Sequence, residues 1–197
     1  MTTVVIVGAG LGALRTAEAL RSAGYADAIT VVGDEEHMPY TRPPLSKEAL
    51  ADGIDLATLE FRRKAGVADV DWRLGVAATG TDLAARTVTL ADGSVLAFDA
   101  LVAATGIRPR RLPIPGPAAG RIALRTAADA RALAASIRPG AHVVVMGAGF
   151  IGCEVAATAT GLGARASVVA IDEQPMIRPL GADLAAAMRR RHERHGV

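Results

Sequence analysis

Val4-Val5-Ile6-Val7-Gly8-Ala9-Gly10-Leu11-Gly12-Ala13 stands near the start of the chain, and Val143-Val144-Val145-Met146-Gly147-Ala148-Gly149-Phe150-Ile151-Gly152 repeats its pattern in the second half. Each begins as an unbroken apolar run, the reading of a strand buried on both faces of a parallel sheet. Each then passes through glycines at fixed spacing into apolar residues at helical spacing, Leu14, Ala17 and Leu20 in the first case. Gly8 allows a sharp strand-to-helix turn and Gly10 lets the backbone approach a pyrophosphate; small Ala13 permits close helix–sheet packing. The N–H groups opening the helix then face the phosphates. Gly147, Gly149 and Gly152 complete the same spacing in the second half. The pattern predicts an α/β fold of two Rossmann-like domains, each a dinucleotide site. Two such sites in one chain suit hydride transfer between two cofactors.

Outward from the first turn, the sequence predicts a helix over Leu11–Ser22 and a second strand over Ala28–Val32, followed by Gly33-Asp34-Glu35. An acid some twenty residues past the glycines suits the hydroxyls of an adenosine ribose. Pro39-Tyr40-Thr41-Arg42-Pro43-Pro44-Leu45-Ser46-Lys47 reads as a rigid, extended, cationic segment. A cation beside a flavin stabilises the negative charge that reduction places on the ring. Val88–Leu90, Asp92-Gly93 and Val95–Phe98 read as a hairpin, and Leu101–Ala104 as a further buried strand ending in Thr105-Gly106. Leu112-Pro113-Ile114-Pro115-Gly116-Pro117 has linker composition, which divides the chain into 1–112 and 113–197. Thr126 with Asp129 three residues on marks a capped helix start.

Composition narrows the function classes. The 197 residues are 51% hydrophobic and only 3% aromatic, so the core is aliphatic, and a net charge of +2 gives no case for nucleic acid or membrane as partner. The single cysteine, Cys153, permits no internal disulfide and makes a reducing cytoplasm the expected compartment. The start of the chain lacks a signal-peptide pattern. No apolar run reaches the roughly 18 residues of a spanning helix. Arg189–His195 reads as a solvated helix end. No Ser/His/Asp grouping and no metal-ligand spacing is present, His37, His142, His192 and His195 being scattered.

Gly-Ala-Gly-Leu at 8–11, Val-Gly-Asp-Glu at 32–35, Tyr-x-Arg-Pro-Pro-Leu-Ser-Lys at 40–47 and Ala-Thr-Gly-x-Arg-Pro at 104–109 together resemble the FAD-dependent NAD(P)H:ferredoxin reductases of bacterial P450 and Rieske oxygenase systems. The resemblance implies an FAD set of Gly8, Gly10, Leu11, Gly12, Asp34, Glu35, Arg42, Pro43, Lys47, Thr79, Ala104, Thr105, Gly106 and Arg125. Within it Lys47 lies near the flavin ring, Asp34 holds the ribose, and Gly12 and Thr79 act through their backbone. It implies a nicotinamide set of Gly147, Gly149, Phe150, Ile151, Gly152, Glu154 and Asp172, with Glu154 beside the nicotinamide. Lys47 and Glu154 are thus the residues placed at the chemistry.

One position departs from the family pattern. Where NADH-using relatives carry an acid after the strand 166–169, this chain has Ala170, with Asp172 two residues on and no arginine immediately following. Asp172 or Glu173 substitutes and favours NAD(H) over NADP(H), or the site takes both, or it has decayed. The expected activity is electron transfer from NAD(P)H through FAD to a [2Fe–2S] ferredoxin, with homodimerisation left open. The sequence ends after a helix at Gly181–Arg194. Family members continue beyond that point, so an N-terminal part with both domains incomplete is expected. The alternative is a non-catalytic nucleotide-binding remnant or a partner of a reductase. A flavin disulfide reductase is disfavoured because Cys153 has no second cysteine.

Overall fold

The structure, a computed structural model, describes residues 2–197. The elements in order are β1 (Val4–Val7), α1 (Leu11–Ser22), β2 (Ile29–Val32), α2 (Glu48–Asp52), α3 (Leu56–Leu59), β3 (Asp71–Arg73), β4 (Ala78–Asp82), β5 (Thr87–Leu90), β6 (Val95–Ala97), β7 (Ala100–Ala103), α4 (Ala127–Ser136), β8 (His142–Met146), α5 (Phe150–Gly161), β9 (Arg165–Val169) and α6 (Ile177–Arg194). The chain divides into two compact units: residues 1–41 with 56–108, and residues 42–55 with 109–197.

In the first unit a four-stranded parallel sheet runs in the order β3-β2-β1-β7. β1 is central, which is why Val4, Val5 and Ile6 are all buried and why the run has no polar alternation. One face packs Val4, Ile6, Ile29 and Val31 against Ala13, Leu14 and Ala17 of α1. The other packs Val5 and Val32 against Val88, Leu90 and Phe98, from the antiparallel sheet β4-β5-β6 and the residue that follows it. Each fully buried aliphatic side chain here contributes about 1.5–3 kcal/mol relative to an exposed one. The Asp92-Gly93 hairpin forms as expected, with Asp92 Oδ1 accepting from Ser94 N at 2.9 Å.

Among the described residues of this unit, Glu18 is a buried charge. Glu18 of α1 is buried, receives Arg15 Nη1 at 2.5 Å and accepts from Lys64 N at 3.0 Å. The Arg15 hydrogen bond, helped by the Lys64 amide, holds its carboxyl below the ordinary value of 4.5. A depressed folded-state pKa stabilises the fold above that value and stops doing so as pH falls through the folded pKa. Acidification below about pH 4.5 should therefore lower the melting temperature of the wild type. Glu18→Gln should melt lower at neutral pH and lose less on acidification; parallel pH curves for the two would exclude this role.

In the second unit β8 and β9 pair in parallel through five registered residues, His142↔Arg165 to Met146↔Val169. α5 lies against them and packs Val155, Ala156 and Ala159 with Ala164 and Ala166. α4 opens on the predicted capping box: Thr126 Oγ1 accepts from Asp129 N, and Asp129 Oδ2 accepts from Thr126 N at 2.8 Å. Two expectations differ. The segment expected to be extended at 43–46 is a 3₁₀ turn, whose first two positions, Pro43 and Pro44, have a fixed φ compatible with a helical start. The final helix begins earlier than Gly181: a short piece from Ile177 precedes a break at Gly181, whose φ of 75° is not helical. Among the described residues no helix is long and apolar enough to cross a membrane.

Candidate nucleotide sites

Both glycine turns fold the same way. Gly8 N–H donates to Val32 O at 2.8 Å, and Gly147 N–H donates to Val169 O at 2.8 Å, so each turn is tied to the end of the neighbouring strand. α1 starts after Gly10 and α5 after Gly149; neither N-terminus has a side-chain cap or an acidic residue in its first turn. Their opening N–H groups and positive dipole ends are therefore available to an anion.

Gly8, Gly33 and Gly152 are crowded by the protein, and Gly147 has a left-handed φ of 111°. A Cβ on Gly8 would lie 2.2 Å from Ala104 O, and its φ is +103°. A Cβ on Gly152 would lie 2.0 Å from Gly147 O, and one on Gly33 would lie 2.4 Å from Ala9 Cβ. These are glycines because the protein itself fills the space. Gly10 and Gly149 differ. Their φ values of −96° and −80° suit any residue, and a Cβ on either meets nothing within 4 Å. Neither backbone nor packing requires glycine there. Each leaves open space beside an uncapped helix N-terminus, a shape that a dinucleotide pyrophosphate would fit.

Around the first turn, Ala104, Thr105 and Gly106 follow β7, and Ala104 N–H donates to Val7 O at 2.8 Å. Asp34 is exposed two residues past Val32, beside the turn. Glu35 has a different task, its Oε2 accepting from Tyr40 Oη at 2.5 Å. Leu11 is exposed at the start of α1, and Gly12 has only an ordinary 3.7 Å contact to Ala104 Cβ. Thr79 lies where the β4–β5 register shifts between Ala78 and Gly80, which leaves its backbone outside the ladder while its hydroxyl donates to Thr89 O at 3.2 Å.

In the second unit the fold joins residues far apart in sequence. Lys47 Nζ lies 3.0 Å from Glu154 Oε2 and donates to Pro43 O at 2.7 Å. Ser46 Oγ donates to the same Glu154 oxygen at 2.5 Å, and Thr158 Oγ1 donates to Ser46 O at 2.9 Å. Ser46 is 3% exposed, whereas the lysine and glutamate side chains are about one-third exposed. The sequence reading named Lys47 and Glu154 and missed Ser46 and Thr158. Thr158 stands between two alanines and Ser46 between Leu45 and Lys47, and neither setting says which partner the hydroxyl meets. Arg42 Nη1 donates to Arg125 O at 2.8 Å, tying two more residues of the expected FAD set together. Phe150 and Ile151 are exposed on the first turn of α5. Cys153 is buried, and that burial, with Glu154 beside it, pushes its thiol pKa up.

After β9 the match between the halves fails. By the shared hydrogen bond, Gly33 corresponds to Ala170 and Asp34 to Ile171, which is fully exposed. Asp172 comes one residue later and is paired with Arg178, Oδ2 to Nε at 3.4 Å.

Over residues 2–197 the chain matches the sequence pattern of pyridine nucleotide-disulphide oxidoreductases. It is 39% identical over 193 residues to the ferredoxin reductase component of chlorobenzene dioxygenase from Cupriavidus sp. (strain PS12), covering 95% of this chain and 46% of that protein. It is 40% identical over 198 residues to the biphenyl dioxygenase system ferredoxin–NAD(+) reductase component of Paraburkholderia xenovorans (strain LB400), covering 99% and 48%. Its fold matches the crystal structure of the ferredoxin reductase for the CYP199A2 system from Rhodopseudomonas palustris with a TM-score of 0.91 at 36% identity, covering 100% and 49%. The chain spans about half the length of the curated relatives it matches.

Proposed function

The chain belongs to the pyridine nucleotide-disulphide oxidoreductase family, and we propose that it holds FAD on its first glycine turn and NAD(H) on its second, within a reductase that passes electrons to a [2Fe–2S] ferredoxin of an oxygenase system. The observation that carries this reading is the pair Gly10 and Gly149, each with open space beside a helix N-terminus that has no side-chain cap. The relatives, a dioxygenase ferredoxin reductase component and a ferredoxin–NAD(+) reductase component, support the direction of electron flow.

The cofactors supply the hydride and one-electron chemistry, and the protein binds, aligns and charges their surroundings. Gly10 and the start of α1 receive the FAD pyrophosphate, and Asp34 accepts from its ribose hydroxyls. The family resemblance assigns Arg42 and Lys47 as the cations for the flavin. Glu154 fixes the Lys47 ammonium and orients toward the nicotinamide, while Ser46 keeps the carboxylate in one rotamer. Asp172 accepts from the ribose of NAD(H). A disulfide-exchange mechanism is not supported, because the chain has one cysteine and it is buried with a raised pKa.

The test is anaerobic addition of NADH to the FAD-loaded protein, followed by an oxidised [2Fe–2S] ferredoxin. Bleaching of the flavin band and its return on adding ferredoxin are expected. Glu154→Gln should bind FAD normally and bleach about tenfold more slowly, the usual size of a lost orienting contact. FAD binding with no NADH-driven bleaching of the wild type would instead support a non-catalytic nucleotide-binding role.

A further inference from the structure

We propose that Arg178 is the cation that receives the 2′-phosphate of NADP(H) at the second nucleotide site, so that this chain accepts both nicotinamide dinucleotides. The proposal rests on reading the second glycine turn as a nicotinamide-dinucleotide site.

The segment after β9 is pinned to that turn at both ends. Val169 O accepts from Gly147 N–H at 2.8 Å where the strand ends, and Met176 N–H donates to Ala148 O at 2.8 Å where the segment returns. Met176 is buried and has a positive φ of 55°, so the return is a built feature of the backbone. Asp172 lies three residues past the first pin and Arg178 two past the second. Their side chains meet at 3.4 Å. The arginine that the linear sequence does not supply next to the strand is thus supplied by the fold.

Charge then decides the specificity. In a dinucleotide fold the acid at the end of the second strand accepts from the ribose 2′-hydroxyl, and an arginine near that position accommodates a 2′-phosphate. A carboxylate there also repels the phosphate. Here the position equivalent to Asp34 is Ile171, and Ala170 precedes it, so no charge stands at the strand end itself. The nearest carboxylate, Asp172, is already compensated by Arg178. Arg178 is 83% exposed and its contact with Asp172 is solvent-screened, so a phosphate can compete for it. Its planar guanidinium suits phosphate oxygens two at a time. The other arginine of this neighbourhood is committed: Arg189 reaches Glu173 O at 3.4 Å while its Nε is held by Glu193 at 2.8 Å. With NAD(H) bound, Arg178 stays on Asp172 and the carboxylate serves the hydroxyl; with NADP(H), the guanidinium turns to the phosphate.

Calorimetric titration of the purified chain with NAD⁺ and with NADP⁺ tests this without any turnover. The wild type should bind both, with affinities within about tenfold of each other. Arg178→Ala should weaken NADP⁺ by about tenfold and change NAD⁺ by less than about twofold; Arg178→Lys should fall between, because a point charge keeps attraction without the fork. Asp172→Asn should tighten NADP⁺ and weaken NAD⁺. Equal loss of both ligands in Arg178→Ala, or loss of neither, overturns the role of Arg178 while leaving the site intact. Failure of the wild type to bind either ligand overturns the site reading and the proposal together.

Discussion

Gly8→Ala should leave the first unit unfolded or severely destabilised, and Gly152→Ala should do comparable harm to the second. At Gly8 the new methyl would lie 2.2 Å from Ala104 O, 2.6 Å from Ala104 C and 2.9 Å from Thr105 Cα, all backbone of the segment that continues β7, the strand paired with central β1. No rotamer change relieves a clash with backbone. The left-handed φ of +103° adds strain for any L side chain. Strain of this kind costs about 1–3 kcal/mol, and overpacking a close-packed site costs a further 1–3 kcal/mol or so. Against a typical domain stability of about 5–15 kcal/mol, the sum removes much of the margin. At Gly152 the φ is helical, so only the clash with Gly147 O at 2.0 Å acts and the loss should be nearer the overpacking figure alone. Thermal melts by circular dichroism check both. A Gly8→Ala protein melting within a degree or two of the wild type would show that β7 does not press on the turn.

Gly10→Ala should have the opposite signature: a nearly unchanged melt and no flavin. The extended φ of −96° accepts alanine, and the methyl would project into open space. Alanine is a poorer N-cap than glycine by several tenths of a kcal/mol, and it gains about the same by restricting the unfolded chain. The protein terms nearly cancel. The ligand term does not, because the methyl occupies the approach of the pyrophosphate to the helix N-terminus. A loss of about a hundredfold in FAD affinity, near 2.7 kcal/mol, is expected. Flavin content after reconstitution measures it. Full flavin content in a well-folded Gly10→Ala protein would mean that Gly10 does not face the cofactor.

The contrast between these two glycines shows what was legible in the sequence. The turn Gly8-Ala9-Gly10 is local, so its strand and its helix follow from spacing alone. The same holds for Leu11–Ser22, for the Asp92-Gly93 hairpin and for the Thr126–Asp129 cap, each decided within a few residues. What sequence did not show depends on chain returns. Ser46 and Glu154 are 108 residues apart and meet only because residues 42–55 pack within the second unit. Arg178 reaches Asp172 only because Met176 N–H returns to Ala148 O. Along the chain no arginine immediately follows the strand, whereas in space Arg178 stands 3.4 Å from Asp172. The 3₁₀ turn at Pro43–Ser46 is hidden for a different reason: two prolines suit an extended segment and a helical first turn equally.

The central claim is that two separate dinucleotide sites are built on two glycine turns. The most direct test is equilibrium binding of FAD and of NAD⁺ to the wild type, Gly10→Ala and Gly149→Ala. Gly149→Ala is predicted to keep FAD and lose NAD⁺, and Gly10→Ala to lose FAD and keep NAD⁺. Two folded variants that each retain both ligands would contradict the account.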